Sequence, residues 1–145
     1  MGMGLTTAVA QLPLATNKRQ TPRIERSPHV SEALYISLLC GALMGGEPEQ
    51  VHQFDYPEGR ASIRVDCENS NRVVEFGLDK RSSLDSLQQA LFAAEITGKE
   101  AVVVLIDTDG VMGRFEWRIA RAANIAGVPI RIIAADLVED LRPGG

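Results

Sequence analysis

Residues 61–78 read Ala61-Ser62-Ile63-Arg64-Val65-Asp66-Cys67-Glu68, then Asn69-Ser70-Asn71, then Arg72-Val73-Val74-Glu75-Phe76-Gly77-Leu78. The first run alternates: Ile63, Val65 and Cys67 fall on one face, and Ser62, Arg64, Asp66 and Glu68 on the other. That is the period of a half-buried strand. Asn69-Ser70-Asn71 is turn chemistry, because Asn accepts left-handed backbone and bonds its own chain. The last run alternates again, with Val74, Phe76 and Leu78 against Val73, Glu75 and Gly77. A hairpin closed at 69–71 sets Asp66 across from Val73 to Glu75, so two carboxylates meet on one face. Neighbouring carboxylates repel and resist desolvation. Such a pair persists as the exposed acidic face of an edge hairpin, or where a cation or a shared proton offsets it.

On the N-terminal side, residues 51–56 read as another strand, turned by Pro57-Glu58-Gly59, which completes a three-stranded antiparallel meander. Before it, Ser27 as N-cap and Pro28 at the first helical position start a helix that runs to Met44 and stops at Gly45-Gly46. Glu32 lies in line with Ile36, Leu39 and Leu43 at the end of the apolar stripe. It is either a rim residue or a carboxylate facing a site.

On the C-terminal side, Ser82 or Ser83 caps a helix that ends at Gly98. Asp85 in its first turn suits the macrodipole. Leu84, Leu87, Leu91 and Ala94 are its expected core stripe, with Gln88 and Gln89 one turn in. Ala101–Ile106 is apolar on both faces, which predicts a central parallel strand covered by helices. Asp107-Thr108-Asp109-Gly110 closes it. A second helix spans Arg114 to Ala126, with Phe115, Ile119, Ala122 and Ala126 expected inward. Arg114, Arg118 and Arg121 make a basic stripe with Trp117 beside it. That stripe is either a solvated face or one that takes a phosphate backbone and a base. Residues 128–134 read as a last strand, at an edge because Pro129 cannot donate.

The 145 residues make one domain. The expected organisation is a flexible N-terminal tail over 1–26, a single domain over 27–136 and a flexible C-terminal tail over 137–145. The tail segment Lys18–Arg26 is locally basic, either a solvated tail or a nucleic-acid arm. A net charge of −4 argues against a strongly basic nucleic-acid binder or a membrane-surface protein, although it hides local clustering. No apolar run approaches the ~20 residues of a membrane span. Cys40 and Cys67 sit on apolar faces and read as buried thiols, so the expected location is cytoplasmic. His29 and His52 have no partner at zinc-ligand spacing.

The order helix, three antiparallel strands, helix, strand, with Asp66 ending the second strand and Glu75 on the third, resembles the PD-(D/E)xK nuclease superfamily. The likeness covers Ser27 to Ile106. It implies an α/β fold with a restriction-endonuclease-like αβββαβ core: a central mixed sheet flanked by helices, with an added C-terminal helix and strand. It also implies roles. Asp66 resembles the motif Asp that bridges the metal. Glu75 resembles the motif Glu, a second ligand, with the Phe76 carbonyl as a third. Glu32 resembles the helix-borne acid that many members add, and Gln88 the polar residue on the following helix. The cofactor implied is Mg²⁺ or Mn²⁺. The partner implied is nucleic acid, with DNA first, and members often form homodimers or larger assemblies.

The motif lysine is missing. Its position is Gly77, giving Glu-Phe-Gly, and Lys80 or Arg81 just past the strand is the expected substitute. Two functions follow as expectations. One is a metal-dependent nuclease, with Arg64, Arg72, Arg81, Arg114, Arg118 and Arg121 receiving phosphates. The other is a nuclease-like domain without catalysis that serves as a binding or assembly module. A second likeness, of Val103–Gly110 to the first motif of haloacid dehalogenase-type phosphatases, is set aside. The 35 residues after Gly110 are too few for the α/β domain those enzymes need, and a polar strand-to-helix turn is expected instead.

Overall fold

The computed structural model describes residues 32–141, with Ser82 described in its backbone alone. The expected helix start at Ser27-Pro28, the N-terminal tail and His29 lie outside the described residues. The elements run α1 (Glu32–Met44), β1 (Glu47–Tyr56), β2 (Gly59–Glu68), β3 (Arg72–Leu78), a 3₁₀ turn (Arg81–Leu84), α2 (Asp85–Thr97), β4 (Glu100–Asp107), α3 (Arg114–Ala126), β5 (Ile130–Ala134) and α4 (Ala135–Glu139). The strands form one open mixed sheet in the order β1-β2-β3-β4-β5. The first three are antiparallel, and β3, β4 and β5 run parallel. β5 lies at an edge, as the proline before it predicts.

Helices cover both faces, so β4 is apolar from Ala101 to Ile106. Val102, Val104 and Ile106 pack with Ile36, Leu39 and Val138 beneath α1 and α4. Val103 and Leu105 pack with Ala90, Ile119 and Ala123 beneath α2 and α3. Burying one such valine, leucine or isoleucine side chain contributes about 1.5–3 kcal/mol. α2 and α3 each end at a glycine in the left-handed region, Gly98 and Gly127.

Four features depart from the sequence reading. Val65 packs with Val73 and Ala93 on the α2 face, whereas Cys67 joins the α1 face, so alternation breaks at Asp66. Cys40 and Cys67 are bridged as a disulfide, not free thiols, and the cysteine argument for an intracellular location falls with that. The buried residues of α2 are Ser86, Ala90 and Ala93, and Leu91 is exposed; in α3 they are Glu116, Ile119 and Ala123 rather than Ala122 and Ala126. Glu116 is drawn in because its Oε2 accepts the Gly113 N–H at 3.2 Å. The packed fold also continues past residue 136, since Val138 on α4 is wholly buried.

Candidate active site

Asp66 lies where the sheet comes apart. β1 and β2 pair from Tyr56↔Gly59 up to Glu47↔Glu68, but the rung between Glu49 and Asp66 is missing, and Glu49 has φ +55°. β2 and β3 share two rungs, Cys67↔Val74 and Glu68↔Val73. The next rung would join Asp66 to Glu75. Instead the Asp66 side chain fills the gap, and its Oδ2 accepts the Phe76 N–H at 2.9 Å. A carboxylate replaces the carbonyl that a regular ladder would supply, so the backbone donor stays satisfied while the strands part.

A cleft of about 210 Å³ opens there, lined by Glu32, Asp66, Phe76, Asp85, Ser86 and Gln89 among others. Glu32 comes from the first turn of α1, Asp66 from β2, and Asp85, Ser86 and Gln89 from the start of α2. Behind Asp66, Glu75 is 2% exposed, and its Oε1 has no hydrogen-bond partner among the described residues. Burial, and then the charge and side chain of Asp66, push the Glu75 carboxyl up to about 9. Glu75 therefore holds its proton at neutral pH in the absence of a cation. Burial and Asp66 also raise the Glu32 carboxyl, and Lys80 opposes that rise. Lys80 is exposed, yet within electrostatic reach of Glu32.

Gly77 does not offer an empty seat for the lysine. A Cβ there would stand 2.5 Å from Ser83 Cβ and 2.9 Å from Ser86 Oγ, and both serines are buried. Ser86 Oγ donates to the Phe76 carbonyl at 3.4 Å, a long bond on the oxygen expected as a ligand. Gln88 is exposed and does not line the cleft; Gln89, one turn after Asp85, takes that place. The Asp85/Gln89 spacing of four residues was readable in the sequence. The closure of Gly77 by Ser83 and Ser86 was not, because it depends on how the 3₁₀ turn folds back.

The expected phosphate-binding arginines are dispersed. Arg64 faces Glu49 at 3.8 Å, and Arg72 faces Glu100 at 3.5 Å at the opposite end of β3 from the cleft. Arg81 is exposed on the 3₁₀ turn beside the cleft residue Ser83. Arg114, Arg118 and Arg121 lie on the solvent side of α3, diametrically opposite Glu116, Ile119 and Ala123 by helical phase. The Arg114 and Arg121 guanidinium groups sit 4.7 Å and 5.9 Å from the Phe115 and Trp117 ring centres. The cleft is thus ringed by acids, with Lys80 and Arg81 as its nearby cations.

A second acidic group stands apart. Asp79, Asp107, Asp109 and Glu116 bring carboxylate oxygens within 4.8 Å of one another. Donors already engage them: Asp79 takes the Thr108 N–H and hydroxyl, Asp107 the N–H groups of Asp109 and Gly110, and Asp109 that of Val111. This is the polar turn after β4, tied down by its own side chains. Elsewhere, Glu68 accepts from Lys99 Nζ at 2.6 Å and pairs with His52 Nε2 at 2.5 Å. Burial would raise Glu68, but these two partners hold it below the ordinary carboxylate range. Among the described residues, no helix is long and apolar enough to cross a membrane. The chain matches no protein-family profile, no curated protein sequence and no solved structure.

Proposed function

We propose that the chain is a metal-dependent, nuclease-like protein that hydrolyses phosphodiester bonds in nucleic acid, DNA first, with Asp66, Glu75 and the Phe76 carbonyl holding Mg²⁺ or Mn²⁺. The observation that carries this reading is the orphaned Oε1 of Glu75, buried behind a second carboxylate. Leaving such an oxygen without a donor costs about 1–3 kcal/mol. A hard divalent cation with oxygen ligands would take the place of the Glu75 proton, satisfy that oxygen and offset the charge the carboxylate then carries beside Asp66. When bound, the ion would acidify a water and offset charge developing on the phosphate.

The chain's own residues do the rest. Asp66 fixes the Phe76 amide, which orients the neighbouring carbonyl. Glu32 stands across the cleft from Asp66 as an acceptor for the water's proton. Lys80 is the nearby cation for a phosphate oxygen, in place of the motif lysine. Arg81 is the second cation beside the cleft.

One observation favours the non-catalytic reading, a binding module with the same metal site: Gly77 is walled in by Ser83 and Ser86. The test is Mn²⁺ titration by calorimetry on wild type, Asp66→Asn and Glu75→Gln, followed by Mg²⁺-dependent cleavage of single- and double-stranded oligonucleotides. Saturable binding lost in both variants, with cleavage, is expected. Binding without cleavage of any substrate would leave the module reading. Equal Mn²⁺ binding by all three proteins would remove the site.

A further inference from the structure

We propose that the sheet face between the end of α1 and β5 binds one medium-chain carboxylate, an octanoate-like anion, with its chain over Val102 and Val104 and its head on Arg131. Nothing in this site depends on a metal in the acidic cleft. Parallel pairing sets Val74, Phe76 and Leu78 of β3 beside Val102, Val104 and Ile106 of β4, on the face beneath α1 and α4. On β5 that face continues with Ile133, paired to Ile106, but the position paired to Val104 is Arg131. An arginine in an apolar row lays its stem on the sheet and keeps its guanidinium at the rim. Arg72, two residues before Val74, is the other cation on this face.

α1 ends at Met44 and α4 is five residues long, which leaves part of the face without a helix over it. A cavity of about 310 Å³ lies there. Phe76, Val102 and Val104 line it from the sheet, and Leu43 and Met44 from α1. Leu43 is more than half exposed, so a bound chain would take apolar surface out of water. Small-molecule pockets are mostly apolar, with a few polar groups that fix orientation, and run from about 300 to 1,000 Å³. At the low end of that range the cavity takes one short chain rather than a two-chain lipid. Its two charged lining residues are Arg72 and Arg131, and no carboxylate lines it. An apolar cavity with a purely cationic rim calls for an amphiphile with an anionic end.

The backbones of Arg72 and Arg131 are two strands and four residues apart, about 16 Å, so a single head group goes to one of them. Arg72 already faces Glu100 at 3.5 Å. Among the described residues no carboxylate pairs with Arg131. The planar fork of a guanidinium matches a carboxylate, with two parallel N–H groups donating to its two oxygens. A dianionic phosphate head would bring a second charge that one guanidinium does not balance.

The test is a methyl-detected NMR titration of the full chain with sodium octanoate, octan-1-ol and butanoate, on wild type, Arg131→Ala and Arg72→Ala. Octanoate should shift the methyl signals of Leu43, Met44, Val102, Val104 and Ile133 saturably, one molecule per chain. Octan-1-ol, which lacks the charge, and butanoate, which lacks four methylenes, should each bind about tenfold more weakly or worse. Arg131→Ala should lose about tenfold in octanoate affinity and keep the wild-type affinity for octan-1-ol, whereas Arg72→Ala should lose less than about threefold. The wild-type preference for octanoate over octan-1-ol tests the head group without any variant. No saturable shift, shifts confined to other residues, or equal octanoate affinity in wild type and Arg131→Ala would overturn the site. Broadening of the same methyl signals that grows with protein concentration before any ligand is added would place a second copy of the chain on this face and overturn it as well.

Discussion

Replacing Glu75 by glutamine should flatten the dependence of stability on pH. Wild-type Glu75 titrates near its ordinary 4.5 in the unfolded chain and at about 9 in the metal-free fold. Below pH 4.5 both states are protonated and the group costs nothing. Between the two values the folded state keeps a proton that the unfolded state has released. Stability then falls as pH rises, by about 1.4 kcal/mol per pH unit. The loss is about 3 kcal/mol by pH 7 and reaches about 6 kcal/mol above pH 9, where both states are ionised. Glutamine has the same shape, does not titrate, and donates an N–H to Asp66. The assay is urea unfolding of both proteins in chelator at pH 5, 6, 7 and 8. The variant's advantage should be smallest at pH 5 and widen by more than 1 kcal/mol per unit. Parallel curves for the two proteins would refute the assignment of the proton to Glu75.

Asp66→Asn should retain fold and stability, because its Oδ1 still accepts the Phe76 N–H, while Asp66→Ala should cost about 1–3 kcal/mol by denaturant unfolding. Both should lose Mn²⁺ binding. Gly77→Ala should destabilise by about 1–3 kcal/mol, since its Cβ meets Ser83 at 2.5 Å, and Gly77→Lys should unfold further rather than gain cleavage. Changing Arg114, Arg118 and Arg121 together to alanine should leave metal-dependent cleavage within about twofold, as expected of surface changes away from a site; a large loss would place nucleic acid on the outer face of α3. The Cys40→Ala/Cys67→Ala variant should lose about 3.5 kcal/mol, the chain-entropy cost of a 27-residue loop, read as a lower urea midpoint.

The hairpin, the buried central strand and both helix-ending glycines were legible because each rests on local chemistry: alternation, an unbroken apolar run, and a left-handed turn. The break at Asp66 was not, because binary alternation carries no sign that a side chain will replace a ladder rung. α2 was misphased for a related reason. Its leucines suggested the core stripe, but the strand beneath presents Gly77 and Glu75, and small residues such as Ser86, Ala90 and Ala93 allow the close approach. Within the cleft, Glu32 and Asp66 were found from pattern. Asp85 was noticed only for its dipole, because nothing local shows which way a first-turn acid points. The disulfide was missed because it joins a helix to a strand 27 residues away, a pairing set by register alone.

The scarcity of rungs between β2 and β3 has a mechanical consequence. β1 and β2 form one stiff leaf, β3, β4 and β5 another, and between β2 and β3 the sheet itself is stitched by two backbone rungs and one carboxylate, with Lys99 on Glu68 as a tie at one end. Thermal opening will follow the line of fewest stitches, so the leaves should part there before either one frays. The cleft lies on that crease, and a small angle between the leaves becomes a change in its width, as a page moves least at the spine and most at its edge.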